Sequence, residues 1–294
     1  MSTGLSSSPA SQAGTAGAAP VLEVSDLRVD FVTDRGWTNV IDGVSFHVKP
    51  GETLGIVGES GSGKSVTSLA VMGLLPAQGS RVSGGSIKLS VEELTTASRR
   101  RIEDLRGDEM AMVFQEPMSS LNPALKIGDQ IAEAVRRHRG ASKKEGMARA
   151  IEVLELVGIP NAARRARSYP HEFSGGMRQR VMLAMAISCE PRLLIADEPT
   201  SALDVSVQAR VLELFTELQE RFGFAALFIT HDLAVVDLLA HRVAVLHRGD
   251  IVEQGPTAEV LGAPRDPYTR RLIASLPVPD PVEQAQRREV LRGL

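Results

Sequence analysis

The stretch GIVGESGSGKSVTSL, residues Gly55–Leu69, decides the fold. It begins inside the apolar run Thr53–Val57, which predicts a short buried strand, and its end predicts a helix that starts near Lys64. Eight residues between them fit the spacing G-x-x-x-x-G-K-[ST]: Gly58, Glu59, Ser60, Gly61, Ser62, Gly63, Lys64 and Ser65. A strand, a glycine-rich turn and a helix in this order predict a loop that binds phosphate groups.

The chemistry of such a loop follows from its composition. Glycines allow successive backbone N–H groups to converge on phosphate oxygens, and the helix N-terminus adds a partial positive charge. We expect Lys64 to reach the β- and γ-phosphates of a nucleotide and the Ser65 hydroxyl to bind Mg²⁺. A glycine-rich turn with an unrelated lysine is the alternative, but the flanking strand and helix signals disfavour it.

A second acidic motif, RLLIADEPTSALD, occupies residues 192–204. Its apolar run Leu193–Ala196 predicts a buried strand that delivers Asp197 at its carboxyl end, where open α/β sheets bind ligands. We expect Asp197 to hold Mg²⁺, directly or through water, and Glu198 to accept the proton of a water that attacks the γ-phosphate. An isolated acidic pair could simply end a strand at a solvated turn; together with the phosphate loop it predicts a hydrolytic site.

Composition limits the class of protein. With 294 residues, 43% of them hydrophobic, the chain can bury a large core, and a formal net charge of −3 argues against a nucleic-acid-binding protein. The single cysteine, Cys189, excludes an internal disulfide and a Cys-rich iron–sulfur site, and its apolar neighbours predict a buried thiol. The sequence has no apolar run of the roughly 18–20 residues that a spanning helix needs. We therefore expect a cytoplasmic protein.

The order of patterns predicts an α/β protein. Short β-branched runs with turn residues between them come first and predict strands at Val21–Val24, Leu27–Phe31, Val44–Val48 and Thr53–Val57. A helical stretch follows, in which Ser142 and Glu145 have the spacing of a capping box. Strand and helix signals then alternate, which predicts a mostly parallel sheet. A hairpin is predicted to turn at Gly249–Asp250. We predict a disordered tail at 1–20, a single domain at 21–277 with a helical subdomain at about 116–180, and a C-terminal tail at 278–294.

The motif EFSGGMRQRVMLAMAI, Glu172–Ile187, resembles the signature of the ATP-binding cassette (ABC) ATPases. The order of motifs is also that family's, and the resemblance spans roughly Val21 to Pro277. It implies a phosphate-loop NTPase core with an N-terminal antiparallel β subdomain and a helical signature subdomain. It also implies ATP and Mg²⁺ as ligands.

The resemblance assigns further site residues. Gln115 resembles the glutamine that senses Mg²⁺ and the attacking water, and His231 resembles the histidine that contacts the γ-phosphate. Asp204 resembles the loop aspartate that communicates across a dimer. Phe31 has the spacing of the residue that stacks on adenine, with Trp37 as the alternative and a core role open for both.

The signature itself has a physical reason. Ser174, Gly175 and Gly176 open a helix predicted to begin near Met177, so they form a second group of N–H donors suited to phosphate. Two such groups in one chain rarely face the same ligand. By the resemblance, the signature of one subunit closes over the nucleotide of another, which gives a head-to-tail dimer with two ATP molecules at its interface.

Three details resemble the oligopeptide and dipeptide importer branch of the family: VFQEPMSSLNP at 113–123, Met177, and DPYTRRLIASLP at 266–277. This branch implies a different second ABC ATPase subunit, two integral-membrane permease subunits and an extracytoplasmic substrate-binding protein. It places the chain at the cytoplasmic face of the membrane as a peripheral subunit. Many members continue into a Cys-containing extension, whereas Cys189 stands alone here, so we expect no iron–sulfur cluster.

Other functions remain open at this stage. The branch also handles nickel chelates and some sugars, and an exporter ATPase has the same fold. A non-transport ABC protein acting on ribosomes or DNA is disfavoured because the chain holds one cassette and no sustained heptads. A phosphate-loop protein that acts purely as a nucleotide switch is disfavoured by Glu198 and His231.

Overall fold

A computed structural model of the chain describes residues 18–34, 36–115, 120–201 and 203–275. Most of the predicted tails, at 1–17 and 278–294, lies outside these ranges, as does the segment 116–119 of the predicted helical subdomain. The strands within them are, in chain order, β1 (Leu22–Thr33), β2 (Gly36–Val48), β3 (Thr53–Val57), β4 (Ser80–Leu89), β5 (Glu92–Glu93), β6 (Met110–Val113), β7 (Leu193–Asp197), β8 (Ala225–Ile229), β9 (Arg242–His247) and β10 (Asp250–Pro256).

The helices in the same ranges are α1 (Lys64–Val71), α2 (Arg99–Leu105), α3 (Ile127–Arg139), α4 (Lys143–Leu156), α5 (Ala162–Arg165), α6 (Gly175–Ile187), α7 (Val205–Phe222), α8 (Leu233–Leu239), α9 (Thr257–Gly262) and α10 (Pro267–Ala274). Helices α3 to α6 follow one another without an intervening strand, in and just beyond the stretch where the sequence predicts a helical subdomain.

The described strands form two sheets, and the α/β fold class is confirmed. One sheet is antiparallel with the order β2-β1-β4-β5; the other has the order β10-β9-β3-β8-β7-β6, parallel except for the β9–β10 pair. Strands β3, β7 and β8 are buried along their whole length. Continuous apolar runs are what a parallel sheet covered on both faces requires.

Alternate residues of the parallel strands enter different cores. Leu193 and Ile195 pack in the core that faces the antiparallel sheet, whereas Leu194 and Ala196 pack in the core on the other face of the sheet. Phe215 of α7 belongs to the second core and contacts the ring of Phe228 edge-on, with centroids 5.4 Å apart. Because successive side chains of a strand point to opposite faces, the parallel sheet packs against a layer on each side.

Local sequence signals account for most element ends. Ser142 and Glu145 form the predicted capping box at the start of α4. The hairpin between β9 and β10 turns through Arg248 and Gly249, one residue before the predicted Gly249–Asp250, because Arg248 also adopts positive φ and Asp250 already pairs with His247. Helix α6 begins two residues before the predicted Met177, because the Ser174 hydroxyl accepts the Met177 N–H and thereby caps the helix from Gly175.

One strand prediction is wrong in its detail. The runs Val21–Val24 and Leu27–Phe31 predict two strands, but Leu22–Val24 and Leu27–Phe31 both lie in β1, whose pairing with β2 shifts register between Val24 and Leu27. Asp26, between them, has φ 49°, so a bulge rather than a turn accommodates the polar residues. Cys189 is buried, as predicted. No helix in the described part of the chain is both long and apolar enough to cross a membrane.

Glu93 of β5 is expected to stabilise the antiparallel sheet in a pH-dependent way. Burial alone raises the pKa of Glu93, but hydrogen bonds from Ser86, Thr95 and the Ile87 N–H outweigh it and lower this pKa to about 2. Because the folded pKa lies below the ordinary value of 4.5, the contribution is present above pH 4.5 and is lost as the pH falls towards 2.

We expect Glu93→Gln to lower the free energy of unfolding at pH 7 by about 1–2 kcal/mol, since an amide has one acceptor oxygen for these donors. The difference from the wild type should narrow below pH 4.5. Urea unfolding between pH 3 and pH 7 measures both, with exposed Glu213→Gln as the matched control. A difference that stays constant over this range would contradict the assignment.

Candidate nucleotide site

The site lies where four neighbouring parallel strands end. The strands β3, β8, β7 and β6 are adjacent in this order, and their carboxyl ends lead into the glycine loop, His231, Glu198 and Gln115 respectively. A cavity of about 640 Å³ opens at this edge, lined by Val40, Ser60, Gly61, Gly63, Lys64, Ser65, Val66, Gln115, Glu198 and His231. Parallel strands thus bring distant sequence motifs to one edge.

The glycine loop wraps around the Lys64 side chain. Lys64 is 6% exposed, and its Nζ donates to the carbonyls of Gly58, at 2.7 Å, and Glu59, at 2.9 Å. A Cβ on Gly58 would lie 2.2 Å from the Leu246 carbonyl oxygen, so the loop can follow this path only with glycine there. Burial lowers the pKa of Lys64, and the nearby carboxylates of Asp197 and Glu198 oppose that shift.

Asp197 places a buried carboxylate beside the start of α1. It is 8% exposed, and its two oxygens accept the hydroxyls of Ser65, at 3.2 Å, and Ser68, at 3.3 Å. Burial raises the pKa of Asp197, while these two hydrogen bonds act in the opposite direction. The Ser65 hydroxyl and the Asp197 carboxylate offer adjacent hard oxygen donors, the ligand type that Mg²⁺ prefers.

Glu198 is held between the two neighbouring strand ends. Gln115 Nε2 donates to one carboxylate oxygen at 3.2 Å, and His231 Nδ1 lies 3.2 Å from the other. The strand order explains this arrangement, because β7 lies between β6 and β8. Glu198 has φ 46°, and its N–H donates to the Ile229 carbonyl at 2.8 Å, so the backbone is fixed where the chain turns away from the sheet.

The structure brings together only part of the predicted site. Lys64, Ser65, Gln115, Glu198 and His231 line the same cavity, and Asp197 bonds to Ser65 at its base. The described lining includes none of the signature residues Ser174, Gly175 and Gly176, nor Asp204 or Phe31. Their roles stay predictions.

These other residues have clear local positions. Ser174 caps α6, and Asp204 caps α7 by accepting the Val207 N–H at 2.9 Å. Phe31 is half-buried and packs against the core below the antiparallel sheet, whereas Trp37 is exposed on β2 with the Arg81 guanidinium 4.3 Å above its ring. Neither ring lines the cavity as described.

Sequence reasoning missed three contributors. Ser68 binds Asp197, and its signal was available: it lies three residues after Ser65, on the same face of α1. Val40 and Val66 line the cavity with apolar surface. An isolated valine carries no sequence signal that separates it from a core residue.

Two family models match the chain. The model described as ABC transporter matches residues 41–201, and the model described as oligopeptide/dipeptide transporter, C-terminal region, matches residues 252–293. The first range covers every residue that lines the cavity except Val40 and His231.

Curated relatives share about half of their residues with this chain. The oligopeptide transport ATP-binding protein OppD of Bacillus subtilis is 51% identical over 257 residues, which are 87% of this chain and 72% of OppD. AppD of the same organism, also an oligopeptide transport ATP-binding protein, is 49% identical over 88% of this chain and 79% of its own length. A putative peptide import ATP-binding protein of Brucella abortus is 50% identical over 88% and 78%.

Solved structures share the fold. A dimeric post-hydrolysis state of the ATP-binding cassette MJ0796, bound to ADP and Pi, matches with a TM-score of 0.70 and 27% identity over 80% of this chain and 98% of that one. CbiO1 of Clostridium perfringens, part of an ABC transporter complex, matches with a TM-score of 0.70 and 26% identity over 83% and 92%.

The buried, charged carboxylate of Asp197 is expected to lower the stability of the folded chain at neutral pH. Its folded pKa is raised, so the carboxyl favours the folded state only while protonated, and this contribution is lost as the pH rises through the folded pKa. We expect Asp197→Asn to raise the thermal midpoint of the chain in EDTA at pH 7.5 by about 2–4 °C.

This gain should shrink as the pH is lowered towards the folded pKa, because the wild-type carboxyl then becomes neutral as well. Thermal unfolding at a series of pH values measures it, and Asp237→Asn on the exposed face of α8 is the matched control. An Asp197→Asn midpoint at or below that of the wild type at pH 7.5 would contradict the prediction.

Proposed function

The chain belongs to the ABC transporter family of ATP-binding cassettes, and from this premise we propose that it is the ATP-hydrolysing subunit that powers a peptide importer. Glu198, held between Gln115 and His231 beside the phosphate loop, is the observation that carries the hydrolytic part. The match of residues 252–293 to the oligopeptide/dipeptide transporter C-terminal region carries the peptide part.

ATP is proposed to place its phosphates on the glycine loop. The first intrahelical bond of α1 runs from the Thr67 N–H to the Gly63 carbonyl, so the N–H groups of residues 64–66 lie ahead of the helical ladder and can donate to phosphate oxygens. The loop carbonyls accept two of the three ammonium N–H groups of Lys64, and the third would reach the β- and γ-phosphates. Ser65 and Asp197 fit a Mg²⁺ site, and that ion would neutralise phosphate charge during the reaction.

Glu198 is proposed as the general base. A water in line with the γ-phosphate would lose its proton to a Glu198 oxygen as the water oxygen bonds to phosphorus and the bond from that phosphorus to the β,γ-bridging oxygen breaks, which yields ADP and phosphate. Gln115 and His231 fix the carboxylate from both sides and so reduce the motion that proton transfer would otherwise require. His231 is 61% exposed, which leaves its ring accessible to the γ-phosphate.

The catalytic unit is proposed to be a pair of cassettes. Ser174, Gly175 and Gly176 start α6 outside the described cavity lining, so a second phosphate-binding helix end remains to be used. We propose that this signature closes over ATP bound by a second, different cassette, with Asp204 near the shared interface. The dimeric state of MJ0796, a cassette of the same fold, supports the pairing of two cassettes.

A groove between the core and the helical stretch is proposed to receive the permeases. It has a volume of about 280 Å³ and is mostly apolar, with the lining residues Met72, Leu74, Arg106, Gly107, Ala111, Met112, Phe114, Ser120, Leu121, Ala134, Met182, Met185 and Ala186. Phe114 is 37% exposed there and directly precedes Gln115. A permease segment in this groove would sense the nucleotide state through Gln115, at the cytoplasmic face of the membrane.

Glu198→Gln is expected to retain ATP binding and to lose most ATP hydrolysis. An amide keeps the size of the side chain and can still meet Gln115 or His231, but it cannot take the proton of the attacking water. We expect the Kd for ATP to stay within about threefold of the wild type and kcat to fall by about 10²–10⁴-fold. Isothermal titration and single-turnover phosphate release measure the two quantities.

Lys64→Ala is the complementary variant. It removes the charge that the buried loop aims at the phosphates, so ATP affinity itself should fall at least about tenfold. Hydrolysis by Glu198→Gln at half the wild-type rate or more would refute the base assignment. Unchanged ATP affinity in Lys64→Ala would refute the binding mode.

The transport role predicts specific partners. Gentle solubilisation of native membranes followed by capture of the tagged chain should recover two permeases, a second cassette and a substrate-binding protein. A peptide-loaded binding protein should then stimulate ATP hydrolysis by the reconstituted complex. Phe114→Ser should reduce permease recovery without loss of ATP binding, while Leu238→Ser, an exposed apolar residue outside the groove, should not.

The outcomes separate the alternatives. Stimulation by a binding protein loaded with a nickel chelate or a sugar, but not with peptides, would retain an importer and reject peptides as the substrate. Recovery of one homodimeric membrane protein without a binding protein would indicate an exporter. Recovery of ribosomal proteins alone would reject transport.

A further inference from the structure

A tyrosine from the C-terminal helix reaches the phosphate loop. The Glu59 N–H donates to the Tyr268 hydroxyl at 3.1 Å, across 209 positions of sequence. Tyr268 is 5% exposed and lies in α10, within the residues that match the oligopeptide/dipeptide C-terminal region. This contact therefore joins the C-terminal segment to the loop expected to hold ATP.

Tyr268 and Lys64 form hydrogen bonds with the same peptide group. The carbonyl of the Gly58–Glu59 peptide accepts a hydrogen bond from Lys64 Nζ at 2.7 Å, and the N–H of that same peptide donates to Tyr268. A peptide group is planar, so fixing its N–H also fixes the direction of its carbonyl. Hydrogen bonds at both ends of one peptide also polarise each other.

Tyr268 is itself held rigidly. Its ring lies against the ring of His247 with centroids 3.8 Å apart, and its N–H donates to the Asp266 side chain at 2.7 Å. The Glu253 carboxylate accepts the N–H groups of Arg265, at 2.8 Å, and Asp266, at 3.1 Å. The start of α10 is thus tied to β10, and the hydroxyl cannot drift from the loop without breaking several bonds.

The β9–β10 turn holds the same loop at a second point. The Gly249 N–H donates to the Ser62 carbonyl at 2.9 Å, and the Gly249 carbonyl accepts the Asp42 N–H at 2.8 Å. Gly249 has φ 87°, and a Cβ there would lie 2.2 Å from the Val40 carbonyl oxygen. We call Tyr268, His247 and Gly249 the C-terminal brace.

We propose that Tyr268 is a positioning residue for ATP binding: through the C-terminal brace it holds the Gly58–Glu59 peptide, and with it Lys64, in the orientation that receives the phosphates. The proposal rests on the function proposed above, because it requires the glycine loop to bind ATP. It goes beyond that function by giving the C-terminal region of the chain a part in nucleotide affinity.

Tyr268→Phe tests the proposal with the loss of one oxygen atom. The ring keeps its contact with His247, so folding should be preserved, and the loop loses a single anchor. We expect the Kd for Mg·ATP and the KM of the full-length chain in its captured complex to rise about 3–10-fold, with kcat within about twofold. Tyr169→Phe is the matched control, since Tyr169 also stacks on a histidine, His171.

The melting temperature of the nucleotide-free chain distinguishes positioning from a purely structural role. If Tyr268 positions the loop, Tyr268→Phe should have a higher Kd for Mg·ATP and a nearly unchanged melting temperature. The proposal would be overturned if Tyr268→Phe had a lower melting temperature but the Kd and KM of the wild type. It would also be overturned if the melting temperature, Kd and KM were all those of the wild type. If the wild type does not bind ATP, or if Lys64→Ala binds as tightly as the wild type, the proposed function fails instead.

Hydrogen exchange of the wild-type chain gives a second test that needs no variant. Because coupling between sites is reciprocal, a Tyr268 contact that favours phosphate binding must be strengthened by it. Protection of the amides of α10 should therefore increase with a non-hydrolysable ATP analogue and not with adenosine. Equal protection with and without the analogue would contradict the coupling.

Discussion

The parallel pairing of β3, β8, β7 and β6 is the constraint on which the site depends. Each of these strands delivers functional groups at its carboxyl end, and the spacing of the strands sets the distances between those groups. Glu198 meets both Gln115 and His231 because β7 lies between their strands. A slip of one residue in any of these strands would turn the group away from its partners and would also move each side chain of the strand into the core on the opposite face of the sheet.

Charge burial is the second organising feature. Lys64 and Asp197 are both buried. Burial lowers the pKa of Lys64 and raises the pKa of Asp197, and both shifts favour the neutral form of the side chain. Their opposite charges and the Ser65 and Ser68 hydroxyls offset part of this cost. Groups held in this way suit the charged ligands proposed above, phosphate for Lys64 and a divalent ion for Asp197.

The signature helix and the C-terminal segment differ in their position relative to the cavity. The signature helix α6 begins with a capped N-terminus that lies outside the described lining of the cavity, which is consistent with the proposed pairing with a second cassette. The C-terminal segment instead turns inward, where Tyr268 and Gly249 contact the glycine loop of the same chain. The N-terminus of α6 thus lies apart from the described cavity, whereas the C-terminal segment contacts the glycine loop directly.

The sequence alone determined the features that are local. The apolar runs that became β3, β7 and β8, the glycine loop with Lys64 and the Ser142 capping box each lie within a few neighbouring residues. Periodicity and turn chemistry specify such features directly. The fold class followed from their order along the chain.

Only the tertiary structure decided which distant groups meet. The bulge that joins two predicted strands into β1 depends on pairing with β2 and β4, and the Glu198 contacts depend on the order of the parallel strands. The Tyr268 contact with Glu59 spans 209 positions, and nothing in either segment marks the other. Side-chain contacts between remote segments are fixed by the packing of the whole sheet, and that packing has no local signal in the sequence.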